Sequence, residues 1–325
     1  MELNDFLAEW HNDNPRILVH TSGSTGKPKP LMVEKRRMLN SARITCDFLR
    51  LKPGDTALLC MPLDYIAGKM MVVRSLQRDL RLTTVRPSSH PLADETLPHF
   101  TFAAMVPMQV YNSLKVPCER ERLMRIRHLI IGGGAISDEL AQMIKPLPNA
   151  VWSTYGMTET LSHIALRRLN GPDASLWYTP FDGVGISLNA DGCLVIDAPE
   201  VCAEPLVTND IAQLRTDDRT GKTLFRIKGR KDNVVCSGGI KIQIEEVEET
   251  LRPHLSSPFM IVKKQDEMLG EKAILLTESA DLTHIEEICR NTLPKYWVPR
   301  EFLHIDHLPL TETGKPKRTL PLTPR

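Results

Sequence analysis

Short apolar runs alternate with longer stretches of helical periodicity through the first half of the chain. Arg16–His20 reads as a strand that leads into a Gly/Ser/Thr loop. Glu34–Leu49 reads as a helix, Lys52-Pro53-Gly54-Asp55 as a turn and Thr56–Met61 as a strand. Ile66–Gln77 predicts a helix, Arg81–Val85 a strand, and Phe100–Val106 and His128–Ile131 further buried strands. Ser137-Asp138-Glu139 marks a helix start with Ser137 as N-cap. This alternation predicts an α/β core built on a largely parallel sheet.

Further along, the pattern changes. Trp177–Asp197 and Ile211–Ile227 are short β-like runs, broken by hairpin signals at Asp182-Gly183, Asp191-Gly192 and Thr220-Gly221. After Gly229-Arg230-Lys231-Asp232 an α+β pattern begins. Ile244, Val247 and Leu251 share one helical face, and Glu245, Glu246, Glu248 and Glu249 lie elsewhere. Strands at Phe259–Lys263 and Lys272–Leu276 and a helix at His284–Thr292 follow. The expected architecture is α/β: a large N-terminal αβ domain with mixed sheets over 1–228, a hinge at 229–232, and a small mobile α+β domain over 233–325.

Composition agrees with that picture. The chain has 325 residues, enough for roughly two domains at ~150 residues each. With 42% hydrophobic and 25% charged residues it is a globular, not a disordered, chain. The net charge of 41 − 40 = +1 supplies no general polyanion surface, so nucleic acid is not an expected partner. Met1-Glu2-Leu3-Asn4-Asp5 lacks the basic start of a signal peptide, and no apolar run approaches the ~20 residues of a membrane span. A cytoplasmic protein is therefore expected. The seven cysteines form no CxxC pair, so buried free thiols are expected, not disulfides or a zinc site.

The most informative stretch is Thr21-Ser22-Gly23-Ser24-Thr25-Gly26-Lys27-Pro28-Lys29. Gly23 and Gly26 let backbone N–H groups approach an anion, the hydroxyls add donors, and Lys27 and Lys29 add charge. That set suits a polyphosphate. Its spacing is not the Walker A pattern of kinases and GTPases. A second loop, Ile131-Gly132-Gly133-Gly134-Ala135-Ile136-Ser137, fails as a dinucleotide fingerprint because Ser137 stands where the third glycine belongs. It can still let a ligand lie against the backbone.

These loops, followed by Tyr155-Gly156-Met157-Thr158-Glu159-Thr160, resemble the adenylate-forming superfamily of acyl-CoA synthetases, luciferases and nonribosomal-peptide adenylation domains. The resemblance runs from about Thr21 to Arg318 and includes four motifs in family order. The phosphate loop matches Thr21–Lys29 and the YGxTE motif matches Tyr155–Glu159. The hinge motif matches Gly229–Glu248, and the C-terminal lysine motif matches Thr313-Gly314-Lys315-Pro316-Lys317-Arg318.

The resemblance implies ATP and CoA as co-substrates and Mg²⁺ as the metal. It implies that adenine and ribose lie against Gly133, Gly134, Ala135, Tyr155 and Gly156, with Asp210 and Arg230 on the ribose hydroxyls. It places Lys315, Thr158 and Glu159 in catalysis, with the Glu159 carboxylate on Mg²⁺. Asp232 matches the hinge position, and Gly238 and Gly239 match the loop along the thiol channel.

The chain departs from the family at several points. Pro30 replaces a Gly that commonly closes the phosphate loop, and Asn209 replaces a Gly before Asp210. Most members also carry a long subdomain before the phosphate loop, which here begins at residue 21. Dimerisation or a reduced architecture is then expected to cover the exposed sheet face.

A small polar run before Tyr155 and Ser162-His163-Ile164 after it are similar to o-succinylbenzoate–CoA ligases of menaquinone biosynthesis. Such a substrate is a small carboxylic acid with a second carboxylate that stays ionised. Tyr65, Gly68, Thr154, Ser162 and His163 are candidates for its pocket, although His163 also reads as an ordinary polar helix residue. Transfer to a carrier-protein pantetheine arm and an inactive nucleotide-binding relative are the competing readings.

Overall fold

The computed structural model describes residues 1–20, 30–310 and 317–318. The chain divides into two units. The larger comprises Met1–Ser187, Val195–Leu206 and Leu214–Arg226; the smaller comprises Leu188–Leu194, Val207–Gln213 and Ile227–Arg325.

In the larger unit, helix α1 (Leu3–His11) precedes an antiparallel pair, β1 (Arg16–His20) and β2 (Pro30–Glu34). Helix α2 (Lys35–Phe48) buries Met38, Ser41, Ala42, Thr45 and Cys46, one stripe at helical spacing. Strand β3 (Thr56–Leu59), helix α3 (Ile66–Arg78) and strand β4 (Arg81–Thr84) follow. Helix α3 packs against α2 and buries every residue from Gly68 to Ser75, so it is covered all round. Then come β5 (Phe102–Met105), α4 (Pro107–Lys115), α5 (Pro117–Met124), β6 (His128–Ile131), α6 (Asp138–Ile144), β7 (Ala150–Gly156), β8 (His163–Arg168) and β9 (Thr179–Pro180).

The sheet of this unit has the order β4-β3-β5-β6-β7-β8-β9. Pairs from β4 through β7 are parallel, and β8 and β9 join antiparallel. The four residues of β5 are all buried, as a parallel strand covered on both faces should be. Ser137 caps α6 by accepting from the Leu140 backbone N–H at 3.2 Å, an interaction worth about 1 kcal/mol.

Strands β10 (Gly185–Leu188), β11 (Cys193–Asp197), β12 (Leu206–Thr216) and β13 (Thr223–Arg230) form a four-stranded sheet in that order. The smaller unit continues with β14 (Val234–Ser237), β15 (Ile240–Gln243), α7 (Ile244–Leu251), β16 (Phe259–Asp266), β17 (Gly270–Thr277), α8 (Leu282–Thr292) and β18 (Glu301–His304). Its sheet runs β15-β14-β17-β16, with β18 parallel to β17. Ile244, Val247 and Leu251 of α7 pack into its core with Ile261, Leu275 and Ile285.

The structure corrects two expectations. Glu248 does not lie on an outer face of α7: it is 8% exposed and forms a two-pronged ion pair with Arg318, at 2.6 and 2.8 Å. The Arg318 guanidinium also donates to the Ile261 carbonyl, and Glu248 accepts from the Ile261 N–H. The segment after Thr160 is not a helix, because His163 opens strand β8.

All seven cysteines are free; Cys118 and Cys236 are exposed and the other five are buried. Burial pushes the Cys60 thiol up to about 12 and those of Cys46 and Cys289 up to about 11. Among the described residues no helix is long and apolar enough to cross a membrane.

Candidate active site

Strands β6 and β7 are adjacent and parallel, so the loops leaving their carboxyl ends lie side by side. One carries Gly133, Gly134 and Ala135; the other is the Tyr155–Thr160 motif. Open sheets bind ligands at this edge. Tyr155 meets Phe225 edge-on, with ring centroids 5.0 Å apart, and Tyr178 at 5.7 Å. Tyr178 stacks on Phe225 and its hydroxyl bonds Ser153 Oγ at 2.9 Å. One face of Tyr155 is thus set by an aromatic cluster, and the residue remains half-buried.

Beyond Gly156 the chain makes a tight turn. Thr158–Thr160 form one turn of 3₁₀ helix, with Thr158 buried and Glu159 exposed. Three residues carry little dipole, so the Glu159 carboxylate is not accounted for as a helix-end charge. The Thr160 hydroxyl accepts from the Met157 N–H at 3.0 Å and stands 2.9 and 2.6 Å from the carbonyls of Met157 and Ser162. Leu161 is buried with φ +65°, a conformation that costs a non-glycine residue about 1–3 kcal/mol. Gly156 permits this turn: a Cβ there would sit 2.3 Å from the Ser162 carbonyl oxygen and 2.4 Å from His163 Cα.

The turn delivers Ser162 and His163 to a buried polar cluster. Arg74 on α3 is 2% exposed, and its Nη2 donates to Ser162 Oγ at 2.5 Å. Among the described residues its Nε is buried without a partner and no carboxylate pairs with the guanidinium. Desolvation pulls the guanidinium down to about 10, so it stays charged at neutral pH. His163 bonds Ser162 Oγ and Thr45 Oγ1, each at 3.2 Å. Burial, and then the charge of Arg74, hold the His163 imidazole well below its usual range.

Sequence reasoning placed Ser162 and His163 among the pocket candidates but missed Arg74. Its signal was an Arg inside the apolar run Met70-Met71-Val72-Val73. The other pocket candidates lie elsewhere: Tyr65 is 46% exposed ahead of α3, Gly68 is buried against the Pro62 backbone, and Thr154 packs on Gly132.

In the smaller unit, Arg230 Nη1 bonds Asp210 Oδ1 at 3.2 Å and its Nη2 bonds Asp232 Oδ2 at 3.0 Å. Asn209 adds a long contact of 3.4 Å to Asp232, and Lys231 pairs with Asp191 at 2.7 Å. The two expected ribose ligands and the expected hinge residue are therefore neighbours. Gly238 and Gly239, with φ +56° and +81°, form the two-residue turn between β14 and β15 that such dihedrals require. Thr21, Ser22, Gly23, Ser24, Thr25, Gly26, Lys27, Lys29 and Lys315 lie outside the described residues.

A metal here has few protein ligands to draw on. Among the described residues no group of three or more His, Cys, Asp or Glu could hold one. A single exposed carboxylate at Glu159 fits Mg²⁺, which commonly takes one or two carboxylates and completes its shell with phosphate and water.

Comparison with known proteins finds relatives of the chain as a whole. The chain is 25% identical over 342 residues to the 2-succinylbenzoate–CoA ligase of Bacillus mycoides, covering 94% of this chain and 69% of that protein. It spans about two thirds of the length of the curated relatives it matches. The crystal structure of an acyl-CoA synthetase (AMP-forming)/AMP-acid ligase II-like protein from Dyadobacter fermentans is 34% identical, with a TM-score of 0.68, covering 97% of this chain and 91% of that one. The O-succinylbenzoate coenzyme A synthetase of Bacillus subtilis, in complex with ATP and magnesium ion, shares the fold with a TM-score of 0.72 at 22% identity, covering 93% of this chain and 68% of that one. The AMP-binding enzyme family model matches residues 4–203, and on that match together with the Dyadobacter relative the chain belongs to this family.

Proposed function

We propose that the chain is an AMP-forming acid–CoA ligase acting on 2-succinylbenzoate. Family membership supports the reaction class, and the named function of the curated relatives supports the acid. The observation on this chain that carries the substrate reading is Arg74. A buried guanidinium that has no carboxylate partner, and an Nε that has no partner, among the described residues is costly unless an anion completes it. The distal carboxylate of 2-succinylbenzoate is such an anion.

In this reading a carboxylate oxygen of the acid attacks the α-phosphorus of ATP and pyrophosphate leaves. Residues Thr21–Lys29 cradle the phosphates, and Lys315 stabilises the charge that builds at phosphorus. Glu159 would hold Mg²⁺, which would supply charge neutralisation for the phosphates. Asp210 and Arg230 hold the ribose, and Asp232 is the hinge about which 233–325 turns. CoA sulfur then attacks the acyl carbon along Gly238–Gly239, and AMP leaves. A cytoplasmic location belongs to this reading; among the described residues no helix is long and apolar enough to cross a membrane. Leu18 and Met32, opposite each other on β1–β2 and 37% and 48% exposed, support a homodimer. Sedimentation velocity is the check, and a monomer at working concentration removes that part of the reading.

The substrate test is product mass spectrometry with MgATP, CoA and a panel of 2-succinylbenzoate, benzoates and fatty acids. 2-Succinylbenzoyl-CoA is expected to dominate. A different dominant thioester discards the acid, and an acyl-adenylate without thioester points to a carrier-protein acceptor.

A further inference from the structure

The cluster around Arg74 has a direction, because each group in it has limited hydrogen-bonding options. Thr45 Oγ1 lies 3.1 Å from the Ser41 carbonyl, which can only accept, so the one hydroxyl hydrogen of Thr45 goes there. Thr45 Oγ1 can then only accept from His163 Nε2. A neutral imidazole carrying its hydrogen on Nε2 leaves Nδ1 as an acceptor. Ser162 must therefore donate its hydrogen to Nδ1, which leaves the Ser162 oxygen to accept from Arg74 Nη2. The donors run one way: Arg74 to Ser162, Ser162 to His163, His163 to Thr45, Thr45 to Ser41.

We infer that His163, as its neutral Nε2–H tautomer, is a positioning residue that fixes the guanidinium of Arg74 through Ser162 and leaves Nε for the distal carboxylate of the acid substrate. This rests on the substrate reading above. A charged imidazole would present two donors, and Ser162 would lose its acceptor. The Nδ1–H tautomer would use both lone pairs of the Ser162 oxygen, leave its hydroxyl hydrogen without an acceptor in the cluster, and draw the Thr45 hydrogen from the Ser41 carbonyl to Nε2. The site supports the neutral form: His163 is only 7% exposed, and its ring packs edge-on against Phe181 with centroids 5.5 Å apart. The strained turn at Leu161 and the close approach at Gly156 hold Ser162 where the chain needs it.

Two experiments test this. ¹⁵N-resolved imidazole NMR of the wild-type protein, with the His163 signal assigned by its loss in His163→Gln, reads the tautomer without any substrate. A neutral ring protonated on Nε2 throughout the neutral range is expected. A ring protonated on Nδ1, or charged, overturns the inference. Steady-state kinetics then read the positioning. His163→Leu is expected to raise KM for 2-succinylbenzoate by roughly 10-fold, the size of one hydrogen bond to a charged group, with KM for ATP little changed. His163→Gln should restore KM, because its amide offers an acceptor to Ser162 and a donor to Thr45. Equal KM in wild type and His163→Leu, or equal damage from Leu and Gln, overturns the positioning role. If the wild-type enzyme prefers a monocarboxylic acid, the substrate reading falls, and the NMR arm still judges the hydrogen-bond order. If His163→Leu does not fold, the same arm decides.

Discussion

Lys315→Ala is expected to lower the rate of acyl-adenylate formation by roughly 10²-fold or more, comparable to the loss of one donor that stabilises transition-state charge. Negative charge accumulates around the α-phosphorus as the carboxylate attacks, and a lysine ammonium there is worth more in the transition state than in the ground state. The second half-reaction makes no such demand. Thioester formation from preformed acyl-adenylate should therefore fall much less, and pyrophosphate release and thioester appearance, followed separately, read the two steps. Equal losses in both would contradict an adenylation-specific role. The described neighbour of this lysine is well anchored. Lys317 N–H bonds the Pro309 carbonyl at 2.8 Å, and Arg318 is held by Glu248. A general collapse of the smaller unit is therefore not the expected result of the substitution.

The second large effect is expected at Arg74. Arg74→Met should lower kcat/KM for 2-succinylbenzoate by roughly 10²-fold or more, since truncating one partner of a buried charge pair costs 2–5 kcal/mol or more. Arg74→Lys should fall between, because an ammonium keeps the charge but lacks the planar fork. Stability should move the other way. In the substrate-free protein the guanidinium is buried and its Nε is unsatisfied, so an apolar side chain of similar length should leave the denaturation midpoint unchanged or raise it. Loss of turnover together with a lower midpoint would make Arg74 a structural residue and remove the main support for a dicarboxylate substrate.

Much of the larger unit was legible in the sequence because its strands are buried on both faces. Such strands leave unbroken apolar runs, as in β5 and β6. The stripe from Met38 to Cys46 revealed α2 in the same way. Helices α4 and α5 lack a comparable apolar run, and their one signal in the sequence is the proline at the first position of each. The polar interior was hidden for a different reason. His163 is polar, and polarity marks it as a surface residue unless its surroundings are known; its partner Thr45, and the Arg74 that donates to its other partner Ser162, come from two helices distant in sequence. Glu248 was misplaced for the same cause, since Arg318 stands 70 residues away. The φ of +65° at Leu161 has no signature at all, because leucine is not a residue that marks left-handed backbone.

The cysteines give the protein a practical property. Buried thiols, held protonated, react slowly with alkylating dyes, whereas Cys118 and Cys236 are open to them. Cys118 belongs to the larger unit and Cys236 to the smaller. The unmodified polypeptide therefore comes with one attachment point for a fluorophore on each unit. Energy transfer between a donor and an acceptor placed there would register any rearrangement between adenylation and thioester formation, one molecule at a time, without a single engineered residue.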